Sequence, residues 1–153
     1  MAIVKKAVAL EPTNVDVLNT YGDMCLMKGQ FLKAEGIYDD AIEANASDPK
    51  AYINKATLYI RYSRDYKKAE SLLKKAIEKD NCSVGAYLVL IQLYTLLKRN
   101  EDINTIINKA LQFATSFEDV AEILGYKYVV EESVKCEKYI TELKQETQKT
   151  QKN

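Results

Sequence analysis

The chain has 153 residues, 47% of them apolar and 29% charged, enough apolar material for one domain-sized core. Lys plus Arg and Asp plus Glu each number 22, so the formal net charge is zero and the basic excess that would favour nucleic acid as a partner is absent. Histidine is missing, and Cys25, Cys82 and Cys136 stand far apart, which excludes a paired metal-ligand spacing, predicts reduced thiols and leaves no cofactor to expect.

In chain order, residues 1–14 carry Ala7, Leu10, Glu11 and Pro12, and read as the closing half of a helical pair whose opening helix is missing. Apolar spacing then predicts helices near 16–28, 32–45, 49–62, 66–79, 84–98 and 101–114. The second shows the pattern plainly, with Ala34, Ile37, Tyr38, Ala41 and Ile42 on one face. Breaks fall at Lys28 with Gly29, at Asn45 to Pro49, and at Asp80 with Asn81, where Gly, Asn and Pro disfavour helix. The longest apolar run, Val84 to Leu97, is interrupted by Gln92 and falls short of the ~20 residues that cross a bilayer, so a buried helix is expected. No apolar stretch with a cleavage site follows Lys5 and Lys6, so no secretory signal is visible.

Beyond residue 117, Val120, Ile123, Leu124, Val130, Val134, Tyr139, Ile140 and Leu143 keep helical spacing but no longer follow the earlier register. One or two capping helices over 118–143 are the expectation. Residues 144–153 are polar throughout and predict a disordered tail.

Ala7, Ala41, Ala76 and Ala110 lie 34, 35 and 34 residues apart, each followed by a branched aliphatic residue. A fixed period of this length marks stacked helix–turn–helix units, here 15–48, 49–83 and 84–117. Gly22 and Ala56 share the small eighth position of their units, Ala34 and Ala69 the small twentieth. Two helices approach closely only where neither carries bulk, and overfilling such a site costs ~1–3 kcal/mol. The third unit has Ile91 and Ile103 at those positions, which predicts a wider crossing of its two helices, and the second has an extra residue between Tyr59 and Ala69.

The run Leu18, Tyr21, Gly22, Gly29, Phe31, Ala34, Tyr38, Ala41 resembles the tetratricopeptide repeat family. The resemblance implies an all-α solenoid of helix hairpins in a right-handed α-α superhelix, and a concave groove lined by the first helix of each unit. Carried onto this chain, the family's groove positions are Asn19, Asp23 and Met27 in the first unit, with Asp16 and Leu26 beside them. The second unit supplies Lys50, Ile53, Asn54, Thr57, Ile60 and Arg61. The third supplies Leu88, Val89, Gln92, Thr95 and Leu96, a drift from polar to apolar that suits an extended or helical peptide. Apolar residues at helical spacing are usually core, so Leu88, Val89 and Leu96 fit packing against the next hairpin equally well.

Chemistry is not expected. Asp39 with Asp40 and Glu131 with Glu132 are adjacent on helices and point to different faces, so neither pair shares a proton, and no glycine loop cradles a phosphate. The family's clamp for acidic chaperone tails is also disfavoured: only Asn54 matches, while Asn19, Asp23, Gly85 and Val89 stand where lysine, asparagine or arginine is required.

A narrower resemblance runs through Gly29, Gln30, Phe31, Ala34, Glu35, Tyr38 and Asp39, then Lys75 to Glu78, Asp80, Asn81, Ala86 and Tyr87, to Asn108, Lys109 and Ala110. These residues are similar to the C-terminal region of the large tetratricopeptide receptors of the mitochondrial outer-membrane translocase. That likeness implies capture of internal targeting segments of preproteins by a cytosol-facing module, with anchor and chaperone clamp elsewhere. The alternative is a scaffold unit of a larger cytosolic or nuclear complex that binds a folded protein. Self-association through an open N-terminal face is compatible with both.

Overall fold

A computed structural model describes residues 2–150. Eight α-helices follow in order: α1 Ala2–Leu10, α2 Val15–Met27, α3 Phe31–Ala44, α4 Pro49–Leu58, α5 Tyr66–Lys79, α6 Val84–Leu96, α7 Asn100–Phe113 and α8 Phe117–Thr150. No strand occurs among the described residues. Local signals fix the starts. The Asn14 side chain accepts from the Val17 N–H, Asp48 from Lys50 with Pro49 as the first helical residue, and Asp65 from Lys68, each satisfying an orphan donor of the first turn.

The stops follow the same logic. α2 ends before Gly29, whose φ of 69° is costly for residues with a Cβ. The extra residue of the second unit is absorbed by a π-helical turn, Tyr59–Ser63, that continues α4 and ends at Arg64 in the left-handed region with φ 53°. Arg64 makes the same kind of turn as Gly29 without glycine's freedom. Arg64→Gly should therefore raise stability by ~1 kcal/mol, seen as a higher midpoint in thermal denaturation; an unchanged or lower midpoint would contradict the strain.

Helices pair as α2/α3, α4/α5 and α6/α7, and the first members stand side by side, α2 on α4, α4 on α6 and α6 on α8. This is an all-α hairpin solenoid. Its core follows the small-residue register: Ala34, Ala41, Ala56, Ala69, Ala76 and Ala110 are fully buried. At Gly22 the approach is closest, since a Cβ there would lie 2.4 Å from the Tyr38 ring. In the third hairpin Ile91 and Ile103 are themselves fully buried, so α6 and α7 leave room for two aliphatic side chains where α2 and α3 leave none.

Tyrosines tie the units together. Tyr52 and Tyr87, at equivalent positions, donate to the carbonyls of Ala46 and Asn81, 3.2 and 3.0 Å away, in the preceding turns. Tyr59 donates to Glu35 on α3, and Tyr94 to Glu70 on α5 at 2.9 Å, both reaching back 24 residues to the previous unit. Burial and the facing carboxylate push the Tyr94 hydroxyl up to about 12 and raise that of Tyr59 as well, so both remain protonated donors.

Glu70 also pairs with Arg99 at 2.9 Å and Lys74 at 2.7 Å. Burial pushes its carboxyl up, but Lys74, the Tyr94 hydroxyl and Arg99 outweigh that and hold it below the ordinary range. A depressed carboxylate contributes stability above its unfolded value and loses it as pH falls through its folded one. Acidification below about pH 4 should thus lower the thermal midpoint less in Glu70→Gln than in the parent chain. Identical pH profiles would remove Glu70 from the balance.

Two expectations about the C-terminal part are corrected. Of the one or two helices expected after residue 117 the structure has one, α8, and it continues through Thr150, past the start of the expected tail. Lys, Gln and Glu are good helix formers, so a polar stretch without anchors extends an existing helix at little cost. Residues 151–153 of that tail lie outside the described residues. Nor is the register lost. The side-chain amide of Gln92 on α6 donates to the Tyr126 hydroxyl, 34 residues on and 2.7 Å away, which seats α8 as the opening helix of a fourth unit.

Candidate functional site

The first helices α2, α4 and α6 carry the sequence-predicted groove, and three contacts spanning 34 or 35 residues join opening helices of consecutive units, two between α2 and α4 and one between α6 and α8. Lys50 reaches Asp16 at 3.0 Å, both exposed. The Asn54 amide donates to Asn19 Oδ1 at 3.3 Å, and Gln92 meets Tyr126. Residues one unit apart thus lie side by side, as a continuous face requires.

Burial divides the predicted residues. Asn19 is 5% exposed, and its Nδ2 is a buried polar atom without a partner; such a group costs ~1–3 kcal/mol. Asn54 and Thr57 are half-buried, the Thr57 hydroxyl donating to its own helix at the Ile53 carbonyl. Ile53, Ile60, Leu88 and Val89 are half-buried and pack against the core, as does Leu26. Leu88 and Val89 thus pack against the core while staying partly exposed. Thr95 likewise donates to its own helix, at the Ile91 carbonyl.

Asp23 is exposed but turned to its own hairpin, accepting the hydroxyl of fully buried Tyr38. Burial and this carboxylate raise the Tyr38 hydroxyl far above its usual value, so it is a permanent donor. Gln92 is engaged by Tyr126 of α8. What stays free is a row at one repeat position, Met27, Arg61 and Leu96, with Met27 86% and Leu96 55% exposed and Arg61 exposed between them. An apolar, cationic, apolar row has the character of a peptide-contact edge.

Sequence reasoning missed Tyr126. The signal was present, since Leu124, Gly125 and Tyr128 fall at the repeat positions of Tyr21, Gly22 and Cys25. Among the described residues, no group of three or more His, Cys, Asp or Glu is placed to hold a metal ion. None of their helices is long and apolar enough to cross a membrane.

No protein-family model matches the chain. In sequence it is similar to the mitochondrial import receptor subunit TOM70 of Rattus norvegicus, 30% identical over 94 residues that cover 61% of this chain and 15% of that protein. The chain thus spans about 15% of the length of the curated relative it matches. In fold it is similar to the crystal structure of yeast Tom70, with TM-score 0.72 and 22% identity over 88% of this chain and 29% of that one. It is also similar to the TPR2B domain of yeast Sti1 in a complex with pHsp70, with TM-score 0.68 and 20% identity over 78% of this chain and 97% of that one. The fold is thus the helix-hairpin solenoid of tetratricopeptide structures, and in sequence and fold the chain resembles the import receptor Tom70.

Proposed function

We propose that this chain is the peptide-binding module of an outer-membrane import receptor, facing the cytosol and holding internal apolar targeting segments of preproteins. The single observation that carries the reading is the 94-residue sequence match to TOM70, because the fold alone serves many ligands. The free row of Met27, Arg61 and Leu96 supplies apolar contact and a donor to backbone carbonyls, and the drift toward Leu96 gives the groove an apolar end. Binding, with no turnover, is the activity this implies.

One similar fold is seen with pHsp70, so the fold itself permits a chaperone-derived ligand. The side chains of this chain argue against it. A carboxylate tail needs converging cationic donors, whereas the first unit offers the Asp23 carboxylate and the third offers packed Val89.

The test is titration of the chain with overlapping peptides of a hydrophobic carrier precursor, against scrambled peptides and an acidic C-terminal tail. Apolar internal segments should bind, and Met27→Asp with Leu96→Asp should weaken them about tenfold or more, ~1.4 kcal/mol, with circular dichroism unchanged. Equal binding by the double variant, preference for the acidic tail, or capture of folded partners alone would each overturn the proposal.

A further inference from the structure

The closing helices, which lie away from the candidate groove, carry an uneven charge. α5 has five lysines, Lys67, Lys68, Lys74, Lys75 and Lys79, against Glu70 and Glu78, a net +3 that the rest of this neutral chain balances with −3. The charge is densest around Ser71. Its neighbours three and four residues away in both directions, which share its helix face, are Lys67, Lys68, Lys74 and Lys75, all exposed as Ser71 is. Lys68 is answered by Asp65 and Lys74 by Glu70, whereas Lys67, Lys75 and Lys79 make no ion pair among the described residues.

Two clefts flank α5 at equivalent places in consecutive units. The first, of ≈ 200 Å³, is lined by Tyr59, Ser71 and Leu72 with Lys55, Lys68 and Lys75. The Lys55 and Lys68 ammonium groups stand 5.9 and 5.2 Å from the centre of the Tyr59 ring, so these charges gather at the cleft rather than fan into solvent. The second, of ≈ 280 Å³, lies one unit on, where Tyr94, Ile106 and Lys109 repeat Tyr59, Leu72 and Lys75. Leu90 takes the place of Lys55 there and Ile77 adds another apolar side chain, with Lys74 and Glu78 also on the lining. One cleft is thus cationic and its neighbour largely apolar.

We propose that the two clefts and the lysines between them form a second docking site, separate from the groove, for an acidic segment of a partner protein that carries one apolar anchor. A carboxylate takes the cationic cleft and a leucine-sized side chain the apolar one. Glu78 repels a carboxylate from the apolar cleft, which fixes which cleft takes which group. Neighbouring helices pack about 10 Å apart, a distance that about three extended residues span. A bare inorganic anion fills the first cleft and leaves the second empty. A bilayer fits less well, because the closing helices on either side of α5 are acidic: α3 exposes Asp40 and Glu43, and α7 exposes Glu101 and Asp102. A flat anionic surface meets those carboxylates too, whereas a segment one strand wide meets the lysines.

The experiment is fluorescence anisotropy of a labelled peptide of about nine residues, acidic except for one leucine and long enough to cross both clefts, titrated with the full chain. Binding should be strongest in about 20 mM salt and weaken about tenfold in about 200 mM. Lys67→Glu with Lys75→Glu alters exposed side chains without ion pairs, so circular dichroism should be unchanged while binding falls about tenfold or more. A peptide with serine in place of leucine should bind about fivefold more weakly. Met27→Asp with Leu96→Asp should leave this binding as it is, which keeps a failure here separate from a failure of the groove. Equal binding by the lysine variant or by the serine peptide, or loss of binding in the Met27→Asp with Leu96→Asp variant, would overturn the proposal. So would lysine-dependent capture by phosphatidylserine vesicles in place of the peptide, which would identify α5 as a membrane-facing helix.

Discussion

Gly22→Val should lower stability by ~3 kcal/mol, at the upper end of the cost of overpacking, while Gly125→Ala, at the same repeat position, should raise it by ~0.5–1 kcal/mol. At Gly22 a Cβ would fall 2.4 Å from the Tyr38 ring, which is fully buried and fixed at its far end by Asp23. The ring has nowhere to go without giving up that hydrogen bond. At Gly125 nothing lies within 4 Å, so only the backbone entropy of glycine changes. For a chain of this size ~1 kcal/mol moves the thermal midpoint by about 2–4 °C, so the two variants should separate by about 7–16 °C. Shifts of the same sign would mean that α8 is covered at Gly125 or that α2 and α3 are not in contact at Gly22.

The reverse substitution in the third hairpin should also be harmful. Ile91→Ala and Ile103→Ala each restore the small residue found at these positions in the second unit, yet each should cost ~2–5 kcal/mol by leaving a cavity. Both side chains are fully buried, and their neighbours are arranged for their volume. Chemical denaturation of the two variants decides it: a neutral or stabilising effect would show that α6 and α7 close up when the bulk is removed. Since the two sites lie on facing helices, the double variant should depart from additivity.

The hairpins were legible because their signals are local or periodic. Asn14, Asp48 and Asp65 start helices by bonding to N–H groups two or three residues away, and the alanine period reports contacts that every unit repeats. The register of α8 is hidden because the alanine that marks the period lies on closing helices, whereas α8 stands at an opening position and carries the register only in Leu124, Gly125 and Tyr128. The candidate groove was legible in position but not in exposure. Spacing places Leu88 and Leu96 on comparable helix faces, and only the neighbouring elements make one half-buried and the other 55% exposed. The diversion of Asp23 depends on Tyr38 of the next helix, which a positional rule for first helices does not see.

The backward-reaching tyrosines carry a consequence for how the molecule opens. Tyr59 and Tyr94 fasten each unit to its predecessor by a buried phenol bonded to a carboxylate, so a unit cannot detach without stranding a polar group on its neighbour. A stack of weakly joined units frays one at a time, whereas one stitched in this way opens in larger blocks. Amide hydrogen exchange across α3 to α6 should therefore report a shared opening event, and replacing the two phenols with phenylalanine should split it into separate ones, each hairpin exchanging at its own rate.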